Sequence, residues 1–272
     1  MNQITSAETT TKADPILTEI IRNSFVSITN EAGVTMEKAA MSPVIKDGKD
    51  CCCVMSDGEG NLCEVSDFAQ PIFIGTLQFT VQSVIRRIGK ENMQSADIYL
   101  VNDPYIAGTH NQDVRVVRPL FVGDELVAFL TIVGHWTDIG GMVPGTFYLQ
   151  ATEAYQEGIR IPPVLLCRDG QINESLMTVL FANMRMPDVS RGDLLAMVAG
   201  VNTGTERFSE LAAKHGVETM KAVMRDYQDY GERLLREIVS ELPDGRYDWE
   251  DFIDQDPVSP NKEPKRIKLT VV

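Results

Sequence analysis

Residues 113–135 read DVRVVRPLFVGDELVAFLTIVGH, and this stretch decides the fold of the chain. Two runs rich in Val, Leu and Phe, residues 113–122 and 125–133, flank the dipeptide Gly123-Asp124. Branched and aromatic residues favour strands, and a Gly-Asp pair between two such runs is typical of a turn. The sequence therefore predicts an antiparallel β-hairpin that is buried on at least one face.

Helical patterns lie on both sides of this hairpin. Asp14-Pro15 predicts the N-cap and first position of a helix that extends to about Met41, where Ser42-Pro43 stops it. The other predicted elements are helices over residues 74–88, 173–184, 187–214 and 217–241, a second hairpin over residues 51–65, and a strand over residues 98–101.

The order of these elements predicts an α+β fold, with a central, mostly antiparallel β region and helices at both ends. We expect a disordered lead-in at residues 1–13, an α+β domain that holds the functional site at residues 14–170, and a helical region at residues 171–245. Residues 246–272 begin a further β region, whose last strand needs a partner. We therefore expect the chain to be the N-terminal part of a larger subunit, or to be completed by another chain.

Composition and charge exclude several classes of partner. The 272 residues have a net charge of −14 at pH 7, and no basic stripe is present that could neutralise the phosphates of a nucleic acid. No apolar run approaches the roughly 20 residues that a membrane span needs. The polar opening MNQITSAETTTK has no secretory apolar region. The sequence therefore predicts a cytoplasmic protein with neither nucleic acid nor membrane as partner.

The cysteines fit reduced thiols. Five cysteines occur, an odd number, and three of them are consecutive at Cys51, Cys52 and Cys53. Neighbouring positions on a strand point to opposite faces, so we interpret these three as small buried residues rather than as a metal site. Cys167 has no histidine nearby in sequence and is not predicted to be a nucleophile.

Two of the three histidines lie at the ends of the central hairpin. His110 and Asp113 occupy the bend that enters the first strand, and His135 follows the second strand. These positions fall at similar distances from the Gly123-Asp124 turn, so they meet at one end of the hairpin. Two imidazoles and a carboxylate from separate segments form the ligand set of a catalytic divalent-metal site. The sequence predicts zinc or manganese there, with iron as a further alternative.

Two further carboxylates, Asp103 and Asp138, are candidate catalytic residues. Each could accept an imidazole N–H or act as a fourth ligand. The alternative for either histidine is an ordinary hydrogen-bonded residue at a strand end. The third histidine, His215, precedes Gly216 and is interpreted as the C-terminal residue of a helix.

No nucleotide-binding motif is evident in the sequence. GxxxxGK[ST] does not occur, and the glycines at 140, 141 and 145 lack the strand–turn–helix context of a dinucleotide site. We therefore do not expect this chain to bind a nucleotide cofactor itself.

Four motifs in fixed order resemble the hydantoinase B/oxoprolinase family, which includes the large subunits of acetone and acetophenone carboxylases. The resemblance runs from about Asp14 to the last residue. Its motifs are NDPY at 102–105 with GTH at 108–110 and Asp113, His135 with DIGG at 138–141, EGIRIPP at 157–163, and NMR at 183–185 with GDL at 192–194.

The resemblance implies an ATP-dependent, multi-subunit enzyme. ATP and magnesium would be bound by a partner of the hydantoinase A or acetone carboxylase beta type, while metal ligands lie at positions that match His110, Asp113 and His135. A single histidine followed by Trp136, where hydrolases of the family show two consecutive histidines, favours a ketone carboxylase that joins bicarbonate to a ketone enolate. The alternatives are a subunit of a hydrolase acting on a hydantoin, N-methylhydantoin, 5-oxoproline or a lactam, and a non-catalytic assembly subunit.

Aromatic residues close to the predicted site could line a substrate pocket. Trp136, Phe147 and Tyr148 would suit an apolar or aromatic ketone, although the sequence favours a packing role for each.

Overall fold

The computed structural model describes residues 14–106, 108–145, 147–254, 256–258 and 263–272. The predicted lead-in at residues 1–13 lies outside the described residues. A seven-stranded sheet forms the centre of the fold, and each of its strand pairs is antiparallel. The predicted α+β class is thus confirmed.

The sheet has the strand order β2-β1-β5-β4-β3-β6-β7. Its strands are β1 (Cys51–Asp57), β2 (Leu62–Val65), β3 (Ile98–Val101), β4 (Asp113–Val122), β5 (Glu125–His135), β6 (Val164–Arg168) and β7 (Gln171–Ile172). The α-helices are α1 (Pro15–Ala39), α2 (Pro43–Lys46), α3 (Pro71–Ile88), α4 (Glu174–Ala182), α5 (Pro187–His215) and α6 (Val217–Ser240).

Helices cover both faces of the sheet. Alternate residues of β5 point to opposite faces of the sheet. Leu130 and Ile132 belong to the large core with α1 and α5, whereas Phe129 and Val133 pack on the side of α3. The large core includes residues of α1, the sheet, α4, α5 and α6, so it extends across residue 170. At Gly200 of α5 a Cβ atom would lie 2.6 Å from the carbonyl oxygen of Ala32, so only glycine allows α1 and α5 to approach this closely.

Local sequence signals explain the element boundaries. Asp14 accepts a hydrogen bond from the backbone N–H of Ile16 at 3.0 Å, and Pro15 begins α1 as predicted. The long helix α5 ends at His215, followed by Gly216 at φ 80°, which confirms the interpretation of that histidine.

The central hairpin contains a β-bulge. Next to the turn Val122 pairs with Glu125 and Phe121 with Leu126, but further along Leu120 pairs with Ala128, so Val127 has no partner of its own. Every later pair is shifted by this one residue, and the hairpin ends with Asp113 opposite His135. Without the bulge, Asp113 would face Gly134.

The cysteines are buried, as predicted. All five are free thiols inside the protein, and Cys51–Cys53 form the start of β1 beside β5. Burial, with nearby negative charges, raises the pKa of Cys51 to about 12 and that of Cys52 to about 12. These thiols are therefore protonated and unreactive near neutral pH.

Two C-terminal strands form a separate two-stranded sheet. β8 (Tyr247–Ile253) pairs with β9 (Lys265–Val271), so the last strand finds its partner within this chain. One face is charged, with an ion pair of 3.5 Å between Arg266 and Glu250. The other face, which we call the apolar hairpin face, is exposed and carries Tyr247, Trp249, Ile253, Ile267, Leu269 and Val271, together with Asp251 and Lys265.

None of the helices in the described part of the chain combines the length and the apolar character that crossing a membrane requires.

Candidate metal centre

The three predicted ligands meet at one end of the central hairpin. His110 lies in the loop between β3 and β4, Asp113 is the first residue of β4, and His135 is the last residue of β5. The backbone N–H of His135 donates to the carbonyl oxygen of Asp50 at 3.0 Å. The next N–H, of Trp136, donates to the carbonyl of Gln112 at 2.9 Å. The ligand-bearing segments are therefore held by backbone hydrogen bonds on both sides.

The donor atoms lie close together. The distance from His110 Nδ1 to Asp113 Oδ2 is 2.7 Å, and the distance from His135 Nδ1 to Asp113 Oδ1 is 3.0 Å. His110 Nε2 lies 3.1 Å from His135 Nδ1. One ligand atom from each of the three residues can be chosen so that all lie within 4.8 Å of one another.

This arrangement fits a divalent metal. Ligand atoms that share a zinc ion at about 2.0–2.2 Å lie roughly 3–3.5 Å apart. One atom from each of the three residues lies within 4.8 Å of the others, so a small rotation of the His110 side chain would bring the three atoms to one ion. Two imidazoles with one carboxylate suit zinc, manganese or iron. Asp113 is fully buried, His135 is nearly so, and the side chain of His110 is 30% exposed, so the centre opens to solvent on the His110 side.

Asp113 is held as a carboxylate. Burial favours its neutral form, but hydrogen bonds from His110, His135 and the Thr109 hydroxyl outweigh burial, so the pKa of Asp113 lies well below its usual range. Behind it lies Arg115, whose Nη2 donates to Thr109 Oγ1 at 3.1 Å and whose Nη1 donates to the carbonyl of Asp113 at 3.3 Å. Burial lowers the pKa of Arg115 to about 10, although the negative charge of Asp113 acts to raise it. The guanidinium therefore remains a cation at neutral pH.

Two residues outside the predicted ligand set also lie at the centre. The ring of Phe147 lies 5.6 Å from the ring of His110 and 5.9 Å from that of His135, measured between centroids. Asp50 Oδ2 lies 3.9 Å from His135 Nδ1. Asp50 was not assigned to the site from sequence, because only the pairing of β1 with β5 brings it there.

The two predicted catalytic carboxylates are engaged elsewhere. Asp138 Oδ1 accepts from the N–H of Gly140 at 3.0 Å, and its Oδ2 accepts from the N–H groups of Arg185 and Met186 before α5. Asp103 accepts from the N–H of Tyr105 at 3.0 Å. The structure thus places both carboxylates on backbone N–H groups, and their catalytic roles stay predictions.

The three aromatic residues that were predicted to line the site lie in different environments. Trp136 is fully buried in the large core, where its ring lies 6.2 Å from that of Phe181. Tyr148 is partly exposed. Of the three, Phe147 alone has its ring against the imidazoles, so Trp136 does not face the metal centre.

Comparison with known proteins identifies relatives along nearly the whole chain. The sequence model of the hydantoinase B/oxoprolinase family matches residues 14–272. A putative D-/L-hydantoinase B-type subunit from Pseudomonas sp. (strain NS671) is 30% identical over 266 residues, covering 96% of this chain and 45% of that protein. The beta subunit of the caprolactamase of Pseudomonas jessenii is 33% identical over 236 residues, covering 86% and 40% respectively.

Solved structures share the fold. The crystal structure of the ATP-dependent caprolactamase from Pseudomonas jessenii matches with a TM-score of 0.85 at 27% identity, over 96% of this chain and 45% of that chain. A nucleotide-free structure of acetone carboxylase matches with a TM-score of 0.83 at 20% identity, over 94% and 35%, and at this identity it supports the fold alone. The chain spans less than half the length of each of these matched proteins. It belongs to the hydantoinase B/oxoprolinase family.

Proposed function

We propose that this chain is the metal-bearing part of a subunit in an ATP-dependent cyclic-amide hydrolase. The class of substrate would be a hydantoin, N-methylhydantoin, 5-oxoproline or a lactam. The observation that carries the proposal is the convergence of His110, Asp113 and His135. The choice of hydrolysis is supported by the relatives at 30% and 33% identity, which are named as a hydantoinase subunit and a caprolactamase subunit.

The residues of this chain have different proposed roles at the metal centre. A divalent metal held by the three ligands would polarise an amide carbonyl or acidify a bound water. Asp113 stays ionised, Phe147 gives the two imidazoles an apolar neighbour, and the carboxylate of Asp50, 3.9 Å from His135 Nδ1, adds negative charge beside the site. For Asp103 and Asp138 we propose a positioning role, since their carboxylates hold backbone N–H groups.

The proposal includes a second kind of subunit. We propose that ATP and magnesium are bound by a partner of the hydantoinase A type, as the sequence resemblance implies. The Pseudomonas jessenii caprolactamase is described as ATP-dependent, and the relative matched there is named as its beta subunit, which supports a hetero-oligomer. A cytoplasmic location stays a prediction.

Ketone carboxylation is the second candidate. It is favoured by the single histidine of His135-Trp136, the feature that separates carboxylases from hydrolases in the sequence resemblance. In the structure Trp136 packs in the core, so it influences the centre only through the backbone of His135. This reduces the weight of the pattern, and we therefore place carboxylation behind hydrolysis.

The test uses the chain reconstituted with its ATP-binding partner. We expect one divalent metal per chain by elemental analysis, and ATP-dependent ring opening of hydantoin, 5-oxoproline or caprolactam without bicarbonate. We expect His110→Ala to remove the metal and to lower turnover by more than about 100-fold, because loss of even indirect metal contacts costs 10- to 100-fold. His215→Ala is the matched control, since it alters the remaining histidine at the end of α5.

Each other outcome contradicts part of the proposal. Incorporation of labelled bicarbonate into acetone or acetophenone, with no ring opening, would replace the hydrolase by the carboxylase. If the complex contained no stoichiometric metal and His110→Ala were fully active, the result would support the third alternative, a non-catalytic assembly subunit.

A further inference from the structure

The guanidinium of Arg160 lies within cation–π distance of two tyrosine rings. Its Cζ atom is 5.5 Å from the ring centroid of Tyr105 and 5.2 Å from that of Tyr155. Both tyrosines are strongly exposed, at 76% and 73%. Cation–π contacts with these two rings hold the guanidinium in place and leave its N–H groups for other partners.

These N–H groups have no acceptor in the described part of the chain. The Nε atom of Arg160 is buried without a hydrogen-bond partner there, and no described carboxylate lies within ion-pair distance of its guanidinium. Glu153 lines the same cavity as Arg160 but does not pair with it. The Nη groups of Arg160 likewise make no hydrogen bond to a described residue, so this guanidinium has N–H donors and a positive charge available to an anion that enters from outside the chain.

A cavity of about 690 Å³ is lined by Arg160. Its volume is in the range of small-molecule sites. Its wall includes the glycines Gly140, Gly141 and Gly158. At Gly158, with φ +129°, a Cβ atom would lie 2.8 Å from the carbonyl of Ile139, so the two loops pack too closely for any side chain. The cavity therefore has a fixed shape.

One side chain ties this cavity to the metal centre. Asn102 accepts from the N–H of Ile161 at 2.6 Å and donates to the carbonyl of Ile159 at 2.9 Å, so it fixes the residues on both sides of Arg160. The same amide donates to the carbonyl of Asn111, the residue after His110, at 2.6 Å. The arginine and the loop that carries a metal ligand are thus held as one unit.

We infer that Arg160 is the residue that binds an anionic oxygen group, a carboxylate or a phosphoryl group, of a molecule that occupies this cavity. The inference rests on the proposed function for the role of that molecule, but the anion site itself is tested without turnover. A planar fork of N–H donors matches the paired oxygens of either group.

The first test is protection of Arg160 from phenylglyoxal in the reconstituted complex, followed by peptide mass spectrometry. We expect inorganic phosphate or acetate to slow labelling of Arg160 at least about fivefold, as full occupancy of the guanidinium edge requires. Arg236, an exposed residue paired with Glu232 on α6, serves as the internal control and should label equally with and without anion. Neutral caprolactam should give no protection.

Phosphate also binds metal ions, so the labelling is repeated with His110→Ala. Protection that persists in this variant shows an anion site independent of the metal, even if the proposed function fails. Protection by phosphate alone identifies a phosphoryl site, and protection by acetate and 5-oxoproline identifies a carboxylate site. Equal labelling of Arg160 with and without both anions overturns the inference.

A second measurement compares dissociation constants for phosphate and acetate in the His110→Ala background by calorimetry. We expect Arg160→Lys to weaken the better-bound anion on the order of 10- to 100-fold, because lysine keeps the charge but loses the fork. Arg236→Lys should leave the constant unchanged. An unchanged constant in Arg160→Lys would assign Arg160 a packing role only.

Discussion

At the scale of single residues, Arg115 connects the buried charge of Asp113 to the rest of the protein. Arg115 is fully buried, two residues after Asp113 on β4, and reaches it through the Thr109 hydroxyl and the Asp113 carbonyl. A third contact joins Nη2 to the hydroxyl of Thr76 at 3.4 Å. A buried guanidinium is tolerated only beside an opposite charge, so Arg115 and Asp113 stabilise each other.

This arrangement predicts a specific effect of Arg115→Lys. The lysine keeps a cation but cannot reach Thr109 and the Asp113 carbonyl at the same time, so Asp113 loses its fixed orientation. We expect metal affinity to fall about 10- to 100-fold, as for other residues that orient a ligand. Competition with a chromophoric chelator measures the affinity, and circular dichroism checks the fold.

Arg118→Lys is the matched control. Arg118 lies on the same strand but contacts Asn202 of α5 rather than the metal centre. If Arg115→Lys bound metal as tightly as the unmodified chain, the orienting role of Arg115 would be refuted.

The ligands were predictable because histidine is rare in this sequence and the hairpin brings its two ends together. His110, Asp113 and His135 needed only residue type, a turn and antiparallel geometry. Arg115 and Thr109 gave no such signal, since an arginine within a strand is ordinarily exposed. Their contribution depends on packing against α3 and the loop before β4, which no local pattern reports.

At the scale of elements, the bulge at Val127 sets the geometry of the centre. A two-residue turn with regular pairing would place Gly134 opposite Asp113, and the bulge moves His135 into that position. Bulges add one residue to one strand and therefore change which residue faces the partner strand. The metal centre thus depends on a residue about a strand's length away.

Deletion of Val127 tests this dependence. Without this extra residue the hairpin pairs regularly from the Leu120–Ala128 pair onward, so we expect Asp113 to stay opposite His135 and the metal to be retained. Deletion of Val127 together with Ala128 moves Trp136 opposite Asp113, and there we expect metal content below about one tenth of stoichiometric, because a slip of one residue turns a side chain to the other face. Elemental analysis measures the metal, and far-ultraviolet circular dichroism should show that the helices remain.

Val127→Ala provides the comparison. It keeps the register and should retain the metal while it lowers the free energy of unfolding by about 2 kcal/mol, as a buried truncation does. Stoichiometric metal in the double-deletion variant would mean that pairing counted from the turn does not set the register of Asp113 and His135.

Two features of the sheet, the bulge and the strand β6 near its far edge, could not be predicted from local sequence patterns. The strands of the two hairpins and the long helices were predicted close to their observed bounds. β6 was not among the predicted elements, because it follows a Gly/Pro-rich stretch and its partner is β3, far earlier in the chain. The start of α3 at Pro71 rather than residue 74 follows from the preference of proline for the first turn.

At the scale of the whole molecule, the metal centre joins a long loop to the central sheet. His110 belongs to the loop, whereas Asp113 and His135 belong to paired strands, so a shared ion would cross-link parts that separate on unfolding. A ligand that binds only the folded state, at 100 times its Kd, stabilises by about 2.7 kcal/mol.

Removal of the metal should therefore lower the melting temperature. For a chain of this size the expected decrease is about 5–10 °C, measured by scanning calorimetry at fixed protein concentration before and after a chelator. Readdition of the metal should restore the original value.

Two histidine variants complete this measurement. His215→Ala should respond to the chelator as the unmodified chain does, whereas His110→Ala should begin at the lower temperature and not respond. A chelator effect of equal size in His110→Ala would place the stabilising ion elsewhere.

The two tryptophans of the chain lie in opposite environments. Trp136 is fully buried and adjoins the ligand His135, whereas Trp249 is 72% exposed on the apolar hairpin face. The intrinsic fluorescence therefore has two separable components. Trp136 in the core emits at shorter wavelength, and Trp249 on the C-terminal sheet emits at longer wavelength. Trp249→Phe leaves an optical reporter one peptide bond from a metal ligand. Trp136→Phe leaves one whose emission moves toward the blue when any other surface covers the apolar hairpin face.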